Sequence, residues 1–231
     1  MKRQVSFGEY GPPFDLLSDM LFAFALAPAG PLRAAFPGVP FLSLGGRVPL
    51  AMWFSRVKEG VYTHPTTQTR ARLGGPSEVL YNELNVVAAL RRRAGFVPGI
   101  YATSTLTIEV GHRYGMPKQP TRMEVRVRAG RFSAALDDRG RRSYVSAILP
   151  GTGRVPGWFI SRAWPRWSWP AFFPDGRHVR VRIDATPRVQ VAYIDAGRLA
   201  LKASWLPKPV ALLPVGIYLP NQRMRLPPPP G

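Results

Sequence analysis

Through its second half the chain alternates apolar and polar residues with a period of two. In Arg122–Leu136, Met123, Val125 and Val127 alternate with Glu124, Arg126 and Arg128, the spacing of a strand with one face buried. Ala129-Gly130-Arg131 separates this run from a second one and suggests a hairpin. The segment at 137–142, Asp-Asp-Arg-Gly-Arg-Arg, makes a turn before the strand-like Ser143–Leu149. The alternation returns in His178–Asp184, with Val179, Val181 and Ile183 on one face, then in Arg188–Asp195 and in Gly197–Leu206. Many arginines are thus the outward half of strands, which predicts a β-rich chain with antiparallel pairing and few helices.

The first half is less regular. Asp19–Ala29 is an apolar run expected as a buried strand, and Gly30–Pro40 follows it as a short helix, with Pro31 in the first turn and Pro37-Gly38 ending it. Val48–Val57 reads as another strand, and Thr63–Ser77 as a long polar loop leading into Glu78–Leu90. Ile160–Gly176 holds three tryptophans, two phenylalanines and three prolines. Prolines at this density exclude a regular helix and predict an ordered loop whose rings cap a core. Residues 226–231 form a proline-rich tail.

Composition bounds this picture. The chain has 231 residues, is 45% hydrophobic and shows no repeat or compositional break, so residues 1–231 are expected to form a single domain. The chain has no cysteine, which excludes disulfides and thiolate chemistry and leaves a reducing cytoplasm as the expected setting. The apolar run Met20–Gly30 follows Glu9, Asp15 and Asp19, the wrong flank for a secretion signal. No run approaches the length of a membrane helix.

The formal charge is +19, which raises the question of nucleic acid. The arginines are spread from Arg3 to Arg225 without a recognition motif, so a nucleic-acid partner is not the expected reading. A solvated basic surface, able to draw in a small anionic substrate, is. His64, His112 and His178 have no ligand spacing, so no metal site is expected. The glycines match neither the Walker nor the dinucleotide pattern, and no serine elbow occurs.

What stands out is lysine. Of 32 basic residues only five are lysine, at 2, 58, 118, 202 and 208, and lysine, unlike arginine, can become a neutral nucleophile. Lys118 lies in Tyr114–Thr121, Tyr-Gly-Met-Pro-Lys-Gln-Pro-Thr. Together with Tyr81-Asn82-Glu83, the run Val110–Gln119 resembles the acetoacetate decarboxylase family, which has a Tyr-x-Glu element, a strand, and a Gly-Arg-Glu run closing in a Pro-Lys-Lys turn. The opening Met20–Gly38 is also similar, so the resemblance covers residues 15 to about 215.

This resemblance implies an α+β, β-rich fold, an antiparallel β-barrel or cone with a few flanking helices. It implies Lys118 as the Schiff-base lysine and Glu83 as the active-site glutamate, with Tyr81, Met116, Arg113 and Gln119 as substrate-binding neighbours. The implied activity is decarboxylase, lyase or aldolase chemistry on a small keto acid or keto compound, with no cofactor, in a homo-oligomer. Gln119 replaces the family's second lysine, and Gly111-His112-Arg113 stands for the Gly-Arg-Glu run. Ser18 falls where an arginine is expected, and Phe54 where a second acidic residue is.

An imine needs a neutral amine, and an unperturbed lysine of pKa ~10.4 is neutral less than about one time in a thousand at pH 7. An adjacent cation or apolar burial can shift that balance. The adjacent cation, the route known for acetoacetate decarboxylase itself, is missing here. Burial among Met116, Pro117 and Pro120, with Arg113 nearby, is the route left. The plain alternative for Lys118 is a turn lysine in water, and for Glu83 an exposed strand residue. A non-catalytic ligand-binding protein on the same fold, and a basic nucleic-acid-binding protein, stay open as alternatives.

Overall fold

A computed structural model of the chain describes residues 11–63, 70–75, 79–91, 94–150, 167–184 and 189–226. Two long antiparallel strands, β1 (Gly11–Pro28) and β2 (Arg47–Thr63), flank the short helix α1 (Ala29–Ala35). Both strands run further than the apolar runs predicting them, because pairing extends across the polar positions near Asp15 and Glu59. Helix α1 forms as expected, with Pro31 in its first turn, and Gly38 after it takes φ +81°.

Strand β4 (Tyr81–Ala89) pairs with β2, and β5 (Gly95–Ala102) pairs with β4. The predicted loop at 63–77 contains β3 (Arg70–Gly74), which adds to β2; residues 64–69, 76 and 77 lie outside the described residues. Polar composition hid this strand, whose pairing side chains include Arg72, bonded to Glu59 at 2.6 Å.

Helix α2 (Thr105–Arg113) was not expected. Thr105, Thr107, Ile108 and Val110 favour strands, and tertiary context overrides that preference. After it, β6 (Lys118–Pro120) runs parallel to β5, so Lys118 begins a short strand and is not a turn residue.

The remaining strands are β7 (Arg122–Arg128), β8 (Arg131–Asp138), β9 (Arg141–Ile148), β10 (Trp167–Phe172), β11 (His178–Asp184), β12 (Gln190–Leu199), β13 (Val210–Ala211) and β14 (Val215–Leu226). The predicted alternation holds in β7, where Arg122, Glu124, Arg126 and Arg128 are exposed while Met123 and Val125 are buried. The two hairpins come from two-residue turns with both residues at positive φ. These are Ala129-Gly130 at 44° and 72°, and Arg139-Gly140 at 52° and 83°, the type I′ arrangement that suits strand twist.

Two corrections concern pairing. The expected antiparallel pairing holds for most strands but not along the second edge of β5, where β10 and β6 run parallel to it. Residues 167–172, read as part of an ordered loop, form strand β10. Pro170 is tolerated there because β5 reaches only Ala171 and Phe172. Of the rings expected to cap a core, Phe173 is buried against Val179 in a core cluster. Trp164 lies outside the described residues, as do residues 227–231 of the tail.

The buried side chains form two clusters. One, containing Leu21, Phe41, Phe54, Leu84 and Phe132, fills the space between the sheet and α1 and continues under β7–β9. The other, containing Leu16, Met20, Trp53, Tyr81, Met116 and Phe173, lies on the opposite face of β1, β2 and β4. Where β1 meets β2 and β14, a polar knot locks a register shift. Lys58 Nζ donates to Asp19 Oδ1 at 2.7 Å and to Asn221 Oδ1 at 2.8 Å, and the Asn221 backbone N–H donates to Asp19 Oδ1 at 3.0 Å. Asp19 and Lys58 are 4% and 6% exposed, so neither charge is stabilised by bulk water; Lys58 depends on Asp19, whose other carboxylate oxygen also lies 3.8 Å from Arg56 Nη1.

Asp19→Asn is therefore expected to lower stability by about 3–5 kcal/mol in urea unfolding, since it leaves a buried ammonium without its carboxylate. Ala129→Asn should act in the opposite direction, by about 1 kcal/mol or ~2–4 °C in Tm, because asparagine accepts the left-handed conformation that alanine resists.

Candidate active site

Alternation along β4 puts Tyr81, Glu83, Asn85 and Val87 on one face. Register places Asn85 opposite Ile100 on β5, and Ile100 opposite Lys118 on β6. Lys118 and the β4 face are thus separated by one intervening strand, a backbone separation of about 10 Å. A lysine and a glutamate extended toward each other span that gap.

They meet. Lys118 Nζ donates to Glu83 Oε2 and, at 3.0 Å, to Thr107 Oγ1 on α2. Asn85 Nδ2 donates to the other carboxylate oxygen, Glu83 Oε1, at 2.8 Å, and Thr107 Oγ1 donates to Glu83 Oε2 at 3.5 Å. Lys118 is 9% exposed and Glu83 6%. Neither plain alternative, the solvated turn lysine or the exposed strand glutamate, describes this geometry.

Backbone contacts fix the lysine's starting point. Its N–H donates to Met116 O at 2.8 Å, the Ile100 N–H donates to Pro117 O at 3.0 Å, and His112 Nε2 is 2.8 Å from the carbonyl oxygen of Lys118, which can only accept. The stem then lies against α2 at Gly111. A Cβ on Gly111 would meet Lys118 Cδ at 2.4 Å and Cγ and Cε at 2.8 Å, so the close approach requires glycine. The phenol of Tyr114, on the same connection, is pushed well above its usual range by burial.

The pair opens onto a cavity of about 40 Å³ lined by Tyr81, Asn85, Val97, Ile100, Met116 and Phe173 among others, room for roughly three waters. A larger hollow, of about 510 Å³, lies on the outer face of β7–β9 beside Arg126, Arg142 and Arg198. It is a trough between solvated side chains over the small residues Ser133 and Ala135, and Glu124 and Arg126 in it are 63% and 58% exposed. Nothing there desolvates a reactive group, so the smaller cavity is the chemical candidate.

Among the residues singled out in the sequence, Lys118, Glu83, Tyr81 and Met116 come together around this cavity. Gln119 does not line it. The alternation that turns Lys118 inward carries its neighbour to the other face of β6, where Gln119 is half-buried. The side chain of Arg113 lies outside the described residues. Phe54 packs in the opposite cluster, so the inward residue of β2 beside Glu83 is Ser55, its direct register partner. Asn85 and Thr107 were missed. Asn85 was legible from the same alternation that places Glu83, whereas nothing in the sequence marks Thr107.

The sequence matches no family model, and no curated protein matches it significantly. Solved structures do match in shape. The enduracididine biosynthesis enzyme MppR, complexed with the condensation product of pyruvate and imidazole 4-carboxaldehyde, superposes with a TM-score of 0.58 at 15% identity, over 94% of this chain and 87% of that one. An acetoacetate decarboxylase-like enzyme from Sphingomonas wittichii RW1 gives 0.57 at 15% identity, over 99% and 96%. Acetoacetate decarboxylase from Legionella pneumophila gives 0.53 at 13% identity, over 97% and 92%. The fold is acetoacetate decarboxylase-like. Among the described residues, no helix is long and apolar enough to cross a membrane.

Gly111→Ala is expected to destabilise the protein by about 1–3 kcal/mol although alanine is the better helix former. A gain in thermal stability would contradict the packing of the Lys118 stem on α2.

Proposed function

We propose that the chain is an acetoacetate decarboxylase-like enzyme that acts on a small keto acid or keto compound through a Schiff base at Lys118. The observation that carries this reading is the convergence of Lys118 Nζ and the Glu83 carboxylate at an apolar cavity. Apolar burial serves it in two ways, by keeping competing water out and by making any charged group depend on its immediate partners.

The carboxylate that holds the ammonium is also the nearest acceptor for its proton. Transfer to Glu83 Oε2 leaves a neutral amine whose lone pair attacks the carbonyl carbon. Glu83 then returns the proton to the carbinolamine oxygen, which departs as water and leaves an iminium. Electrons from a breaking bond at the β position flow into that iminium, so carbon dioxide leaves a β-keto acid, or a carbon–carbon bond forms or breaks through the enamine. Thr107, within 3.0 Å of Nζ, holds the amine in place during these transfers. Asn85, bonded to the far oxygen of Glu83, orients the carboxylate. The whole chain of steps runs on side chains, with no cofactor.

The small cavity supports a substrate of few atoms. The barrel-like enclosure belongs to this reading and is supported by the pairing of β14 with both β1 and β11. Assembly into homo-oligomers is supported by an exposed row of Ile148, Tyr193 and Val215, adjacent in register on β9, β12 and β14.

The test is reductive trapping. Incubation with acetone, butanone, pyruvate or levulinate and cyanoborohydride should add one reduced adduct, located by peptide mass at Lys118, and Lys118→Ala should abolish it. If no compound marks Lys118 while ligands still raise Tm, the protein is a binding module on this fold and the catalytic reading is wrong.

A further inference from the structure

What distinguishes one carbonyl compound from another inside this cavity is charge. Fourteen residues line it, and eleven of them are aliphatic or aromatic. The other three are Asn85, Glu83 and Lys118. Lys118 is therefore the only cation among the described lining residues, and its ammonium is already engaged by Glu83 and Thr107. The other lysine buried among the described residues, Lys58, is bonded to Asp19 and Asn221 and does not line the cavity.

A keto acid entering this space brings a carboxylate that must leave water. Buried carboxylates are tolerated when a cation or several donors meet them. Here the only polar atoms that the rest of the described lining offers are neutral, on the Tyr81 phenol and the Trp53 indole, and among the described lining residues the one charge besides the amine is the like charge of Glu83. Once Lys118 forms an iminium, its single positive charge still lies beside Glu83, so a substrate carboxylate shares that charge with a competitor already in place.

A neutral carbonyl compound meets no such conflict. Its oxygen needs a donor and its carbon chain needs apolar walls. A spare neutral group lies beside the pair: Ser55, 2% exposed, is the register partner of Glu83 and shares a strand face with the cavity-lining Trp53. Its hydroxyl has no hydrogen-bond partner among the described residues, and a buried hydroxyl without one is costly unless a guest supplies it.

We propose that the cavity selects small uncharged ketones over keto acids, an inference that rests on the Schiff-base reading above and narrows its substrate class. In the step concerned, the Nζ–carbon bond forms, the carbon–oxygen bond breaks with release of water, and Glu83 removes a proton from the α-carbon. The electron pair of that C–H bond stays in the enamine, which is then poised to attack a second carbonyl or to recover a proton.

The experiment compares initial rates of cyanoborohydride trapping at Lys118 by butanone, pyruvate and levulinate at equal concentration. Each rate is divided by the same compound's rate with N-α-acetyl-lysine, which removes intrinsic electrophilicity. Butanone is expected to exceed both acids at least tenfold in this normalised rate. Val97→Arg, which adds a cation to the wall, should narrow or reverse the ratio; the wild-type comparison decides the matter if that variant does not fold. Equal or faster normalised trapping by either acid overturns the selectivity and leaves the Schiff base standing. Absence of any adduct at Lys118 overturns both.

Discussion

The hydrogen-bonded pair of Lys118 and Glu83 is the constraint on which the rest of the site depends. Taking an ammonium and a carboxylate out of water costs several kcal/mol per ion even after relaxation, and their attraction returns this only if geometry is good and the remaining polar atoms are met. Here they are met by Thr107 from a helix and Asn85 from the same strand. Three elements distant in sequence, β4, α2 and β6, must therefore dock together for either charge to be tolerable. An apolar pair of similar volume would fill the same space without that desolvation cost.

The surrounding scaffold serves that docking. Gly111 lets α2 come within contact of the lysine stem, and the parallel contact of β6 with β5 sets how far along the sheet the amine starts. The polar knot of Asp19, Lys58 and Asn221 fixes the junction of β1, β2 and β14, strands that carry Leu16, Trp53 and Met224 to the cavity wall. Among the described residues two lysines are buried, Lys58 and Lys118. Both are held by polar partners, but Lys118 lines the small cavity and Lys58 does not.

The similarity in shape to acetoacetate decarboxylase-like enzymes extends over nearly the whole chain at 13–15% identity. At that distance the backbone path is shared and the side chains need not be. Gln119 follows the lysine here, and among described residues the cavity wall holds no second cation. Described arginines such as Arg122, Arg126 and Arg128 stand on the outward face of β7, where they shape the long-range field.

The strands of the second half were legible because alternation is a local property of a pleated chain with one wet face, and Ala129-Gly130 and Arg139-Gly140 mark their turns. Lys118 was legible because lysine is rare in a chain that otherwise uses arginine, and the resemblance joined it to Glu83. Helix α2 and strand β10 were hidden, since β-branched residues in one and prolines in the other argue against the structure they adopt. Amino-acid sequence alone thus determined the β-rich character, the inward and outward faces, and the two residues worth watching. Only the tertiary structure decided that Thr107 and Asn85 complete the pair, that Gln119 faces away, and that Ser55 stands beside Glu83. Those outcomes depend on which strands pair and in what register, and a one-residue slip, invisible to local pattern, would turn every one of these side chains to the other face.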